Sequence, residues 1–159
     1  MKLLTNRKFH LVLTWIFFIA TLLSIINFSL DNGEISFSKS WHFVQLFKFL
    51  QRWIPVTTLH VIIRKLGHFT EYFLLGLSSF HLTSFYTPKK QLRWISTLLI
   101  GLITSCTDES LQRFVTTNRS GSVLDVVLDM TGVGIGLLIL YNLIQSGRPT
   151  PPSPGSLFQ

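Results

Sequence analysis

The sequence predicts an all-α integral membrane protein with four transmembrane helices and one amphipathic interfacial helix in the first extracytoplasmic loop. Three observations carry this. Charged residues make up only 13% of the 159 residues, against roughly 25% in soluble domains. Apolar side chains dominate four stretches of span length, about twenty residues each. Most basic residues gather in short segments between those stretches, where membrane proteins keep their orientation signals. A chain of this length makes one compact unit.

The formal net charge is +7. A nucleic-acid binder would need its basic residues as a stripe on a soluble fold, and here they interrupt apolar runs, so no nucleic-acid partner is expected. Cys106 is the single cysteine, so no intramolecular disulfide can form.

The first span runs from Phe9 to Leu30 without a formal charge, enough to cross a ~30 Å hydrocarbon core. It follows Lys2, Arg7 and Lys8, as a signal peptide would. It exceeds the roughly 7–15 residues of a signal-peptide core and lacks an A-x-A-like ending, which reads as a retained helix. From Trp41 to Pro55, His42, Gln45, Lys48 and Arg52 recur at helical spacing against Trp41, Val44, Phe47, Leu50 and Ile54. Such amphipathicity beside a membrane predicts a helix lying in the headgroup plane.

The remaining spans are residues 66–86, 94–114 and 122–144. Thr87-Pro88-Lys89-Lys90 and Asn118-Arg119-Ser120-Gly121 supply the turn chemistry between them. The membrane domain is thus residues 1–146. The tail, residues 147–159, holds Pro149, Pro151, Pro152 and Pro154 and is expected to be disordered.

Lysine and arginine divide seven to seven between the two faces. The face with the N-terminus and Pro88 packs them into the shorter segments, which places both termini in the cytoplasm of a cell membrane.

Polar residues within the spans point to a site. Glu71 and His68 lie near the start of the second span, and Asp108, Glu109 and Gln112 near the end of the third. Asp125 and Asp129 open the fourth. In a four-span protein these ends share one face, with the carboxylates roughly 4–11 Å below it at helical rise. An Asp at a helix centre costs about 2.5–3.5 kcal/mol to insert, so the five carboxylates are expected to face inward and find partners. Arg64, Lys65, Arg113 and Arg119 are the cations at that face. Plainer roles exist: Ser122 and Asp125 suit a helix start, and Gly132 with Gly136 suits close helix packing.

The segments RKLGHFTEY (Arg64 to Tyr72), DESLQRF (Asp108 to Phe114) and NRSGSVLD (Asn118 to Asp125), with the glycine-rich last helix, resemble the VanZ-like family. The resemblance implies a small polytopic membrane protein of the kind associated with teicoplanin resistance. The family's polar signature falls on Arg64, Lys65, His68, Glu71, Tyr72, Asp108, Glu109, Gln112, Arg119 and Asp125. Asp129 departs from it, standing where the family usually has Asn.

The leading expectation is a protein that engages a membrane lipid or lipid-linked cell-wall precursor at the outer leaflet. The guanidiniums of Arg64, Arg113 or Arg119 match phosphate geometry, while Asp129 and the other acids hold those arginines. By resemblance, the consequence would be altered sensitivity to teicoplanin and related lipoglycopeptides. A second reading is an enzyme acting on a lipid phosphate headgroup, with His68, Glu71, Asp108, Glu109 and Asp125 as candidate catalytic groups. His68, Glu71, Glu109 and Asp129 could ligate a divalent cation, although no established metal motif accompanies them. A third is a small proton-coupled transporter, for which four short helices leave little room unless the chain forms a homo-oligomer.

Overall fold

The computed structural model describes residues 2–117 and 121–146. All regular structure among them is helical: α1 (Lys2–Ser29), α2 (Gly33–Leu46), a 3-10 turn (Lys48–Arg52), α3 (Val56–Tyr86), α4 (Lys90–Phe114) and α5 (Val123–Ser146). The expected tail, residues 147–159, and Arg119 lie outside the described residues.

The interfacial segment differs from expectation. Helix begins at Gly33 rather than Trp41, gives way at Phe47 to a 3-10 turn, and ends before Pro55. The residue before a proline disfavours helical backbone, so Ile54 closes the segment and Pro55, at φ −54°, opens α3. That helix starts ten residues before the expected span. At 31 residues it is roughly 46 Å long, more than a ~30 Å core needs.

α3 is the hub. Its most extensive packing is with α5, and it also meets α1, α4 and α2. The α3–α5 contact depends on small residues. A Cβ on Gly132 would stand 2.8 Å from the Phe69 carbonyl oxygen, one on Gly136 would strike the Phe73 carbonyl, and one on Gly76 the Val133 carbonyl. Glycines let the two backbones touch, as close helix packing in membranes requires. The apolar core between the helices is Phe18, Ile25, Tyr72, Leu75, Leu82 and Val133.

Small polar side chains share the interior with that core, while the exterior is apolar. Thr14, Thr21, Ser78, Ser79, Thr97 and Ser105 are buried, while Ile16, Leu23, Leu99, Ile103, Val127 and Leu143 are exposed. Large exposed apolar surfaces on soluble monomers are rare. Among the described residues, two helical stretches, Asn6–Ser29 and Val123–Ser146, are long and apolar enough to cross a membrane. α3 and α4 have the length but carry more polar residues.

Three contacts tie the ends of the bundle. His60 of α3 is stacked on Phe37 of α2, ring centroids 3.8 Å apart, with Trp41 at 5.6 Å, and bonds Ser40 Oγ at 2.6 Å. The α1–α2 connection meets the α4–α5 connection, where Gly33 donates to the Thr117 carbonyl at 3.2 Å. At the opposite end, Trp15 Nε1 donates to the Tyr86 hydroxyl at 2.8 Å.

Candidate functional site

α1, α3, α4 and α5 each bring polar side chains to the end where α1 finishes. On α4, Thr97, Gly101, Ser105, Asp108 and Gln112 recur at helical spacing and are all buried, a line that one helix face must produce. Tyr72 of α3 is fully buried against it. Its hydroxyl donates to Asp108 Oδ2 at 3.1 Å, while Gln112 Nε2 donates to Oδ1 at 2.7 Å. His68 Nδ1 lies 3.6 Å from the same Oδ2. The Ser29 hydroxyl of α1 donates to the Asp108 carbonyl at 3.2 Å.

Asp129, one turn into α5 and fully buried, accepts from Ser105 Oγ through Oδ2 at 2.7 Å. Glu109 Oε2 accepts from the Ser122 backbone N–H at 2.6 Å, which fastens the start of α5 to the end of α4. Ser122 itself caps α5, its Oγ accepting from Leu124 N at 3.2 Å. Capping therefore falls to Ser122, and Asp125 instead forms an ion pair with Lys65 of α3.

Among the described residues, Asp125 is the one of the five carboxylates with a lysine or arginine partner. The others are held by hydroxyl, amide and imidazole groups, contrary to the arginine pairing that the sequence suggested. Arg64 and Arg113 are exposed. His68 and Glu71, though on one stripe with Arg64, turn to different neighbours. His68 faces Asp108 of α4, and Glu71 accepts from Ser24 Oγ of α1 at 2.7 Å.

One carboxylate oxygen from each of Asp108, Glu109 and Asp129 lies within 4.8 Å of the others. That group overlaps the ligand set expected from sequence at Glu109 and Asp129, with Asp108 in the place of His68 and Glu71. Ser24, Ser29 and Ser105 are site residues that sequence reasoning passed over. Ser105 had a signal, its place four residues before Glu109 on a polar stripe. Ser24 and Ser29 had none, because a lone serine in an apolar helix usually bonds its own backbone.

An all-helical bundle with buried polar side chains beside its apolar core, an apolar exterior and carboxylates gathered at one end is consistent with a small membrane protein. The model of the VanZ/LLP1 family matches residues 11–145, and the chain belongs to that family. No curated protein and no solved structure matches it.

Proposed function

We propose that this chain is a multi-pass cell-membrane protein that engages an anionic lipid or lipid-linked cell-wall precursor at the outer leaflet. α1, α3, α4 and α5 would span the bilayer with both termini in the cytoplasm. The apolar exterior and polar interior support the embedding. The basic residues around Arg7 and Pro88 support the orientation.

The observation that carries this reading is the division of labour at the polar end. The carboxylates are occupied with hydroxyl and amide donors inside the bundle, which leaves the guanidiniums of Arg64 and Arg113 outside and uncommitted to acids among the described residues. An exposed guanidinium at headgroup depth offers bidentate donors to phosphate. Exposed Leu46, Phe49 and Trp53 lie on the neighbouring segment beside Lys48 and Arg52, a mixture suited to the headgroup boundary.

Family membership suggests that such engagement alters tolerance of teicoplanin. The test is growth of a susceptible host expressing wild type or an Arg64→Gln/Arg113→Gln double variant at matched membrane levels, with teicoplanin and vancomycin compared. Raised teicoplanin tolerance in wild type, lost in the double variant, is the expected result. Unchanged tolerance in wild type would overturn the resistance role, and equal tolerance in the two would remove the arginines from it. A reporter fused after Ile144 should behave as cytoplasmic, and extracytoplasmic activity would reverse the orientation.

A further inference from the structure

Asp108 and Glu109 are neighbours on α4, and Asp129 comes from the first turns of α5. All three are more than nine-tenths buried, Glu109 at 7% exposure being the most accessible. Among the described residues no lysine or arginine pairs with them, Lys65 being bound to Asp125, and His68 Nδ1 stands 3.6 Å from Asp108 Oδ2. Like charges this close, away from water, must be neutralised by protons or by a counter-ion.

A second observation separates the two. Glu109 Oε1 and Asp129 Oδ1 are buried and accept no hydrogen bond from any described residue. Their partner oxygens are each held by one donor, Ser122 N–H and Ser105 Oγ. Each carboxylate is therefore oriented by one oxygen and keeps a buried, unpartnered second oxygen, in a cluster where one oxygen of each residue lies within 4.8 Å of the others. That is how outer-shell hydrogen bonds aim the ligands of a metal. Asp108 is oriented in the same way, by Tyr72 and Gln112, and each of its oxygens keeps a lone pair free.

We propose that Asp108, Glu109 and Asp129 form a binding site for one hard divalent cation, of Ca2+ or Mn2+ size. Oxygens bound to a single Ca2+ at 2.3–2.6 Å stand at most roughly 5 Å apart, and these three lie within 4.8 Å of one another. An all-carboxylate donor set selects Ca2+, Mn2+ or Mg2+ over softer metals. Of these, Mg2+ requires shorter bonds and a tighter octahedron. The ion would tie the end of α4 to the start of α5. It enters past Glu109, the member nearest the surface. The assignment stands apart from the reading of Arg64 and Arg113, because it concerns the interior of the bundle and needs no lipid.

The test is Mn2+ binding by the purified full chain in a non-ionic detergent after chelator treatment, followed by the magnetic resonance signal of free Mn2+. The expected result is one Mn2+ per chain, displaced by Ca2+. Affinity should fall roughly 10-fold or more in Asp129→Asn and Glu109→Gln and stay at the wild-type value in Glu34→Gln, an exposed acid on α2. Substoichiometric binding by wild type overturns the site and leaves protons as the neutralising species. Equal binding by wild type and both ligand variants overturns it as well. Should both variants lose helical signal or elute as aggregates, thermal melting of wild type decides. A melting temperature raised by one equivalent of Mn2+ sustains the site, and an unchanged one overturns it.

Discussion

Ser105 of α4 and Asp129 of α5 meet inside the bundle, the serine hydroxyl donating to the carboxylate at 2.7 Å, with both residues fully buried. Asp129 thus does what a buried polar group must do, finding a fixed donor on the helix against which it packs. An amide at this position could accept the same hydrogen bond.

Asp129→Asn is therefore expected to melt at or above the wild-type temperature in detergent with chelator present. Asp129→Ala should lose about 1–3 kcal/mol, because it leaves the Ser105 hydroxyl without its acceptor. Thermal denaturation of the two variants side by side checks this. An asparagine variant as unstable as the alanine one would mean that the carboxylate charge itself holds the fold.

The α3–α5 contact gives a paired prediction. A methyl on Gly136 would collide with the Phe73 backbone carbonyl, whereas one on Gly134 meets nothing within 4 Å. Gly136→Ala should force the helices apart and cost about 1–3 kcal/mol. Gly134→Ala should be neutral or gain up to ~1 kcal/mol from helix propensity. Resistance to denaturing detergent would rank them, and equal resistance would show that the helices are not in backbone contact.

The ion pair between Lys65 and Asp125 is half in solvent, with Lys65 side-chain exposure of 43%. Its coupling in a double-mutant cycle with alanine should stay at or below about 1 kcal/mol and shrink with added salt. A larger, salt-insensitive coupling would indicate that lipid or protein covers the pair.

His60 lies in the first turns of α3, before residue 66 where the expected span begins, and burial lowers its pKa below the usual value. The folded protein therefore favours the neutral ring between Phe37, Trp41 and Ser40. The unfolded chain takes up its proton first, near pH ~6.5. The contribution of this contact is complete above that pH and falls as the solution is acidified through and below it. Amide exchange in α2 should accelerate on acidification beyond the intrinsic pH effect in wild type, and lose that extra dependence in His60→Phe.

Much of the architecture was legible from spacing alone. The apolar run from Phe9 marks the body and end of α1, which begins at Lys2, and the Pro88 turn and the break before Ser122 set off α4 and α5, because turn residues and apolar length act locally. The α2 boundary was not. Amphipathicity is strongest from Trp41, but helix begins at Gly33, where Asp31 is held by Lys39 at 2.7 Å and Asn32 reaches Thr117. The second of these contacts joins positions 85 residues apart in sequence.

The sequence by itself determined that carboxylates from α3, α4 and α5 share one end of the bundle, because short turns make successive helices alternate in direction. It did not determine which groups answer them. Charge matching suggested arginine, yet a guanidinium on a long flexible stem gains more by staying near water than by entering a packed interior. Short hydroxyls on α1 and α4 reach the acids instead, as Ser24 does Glu71 and Ser105 does Asp129. Helix rotation and close α3–α5 packing decide that choice, and they also bring Asp108, Glu109 and Asp129 within 4.8 Å of one another. These are properties of tertiary contact, set by where glycine allows two backbones to touch.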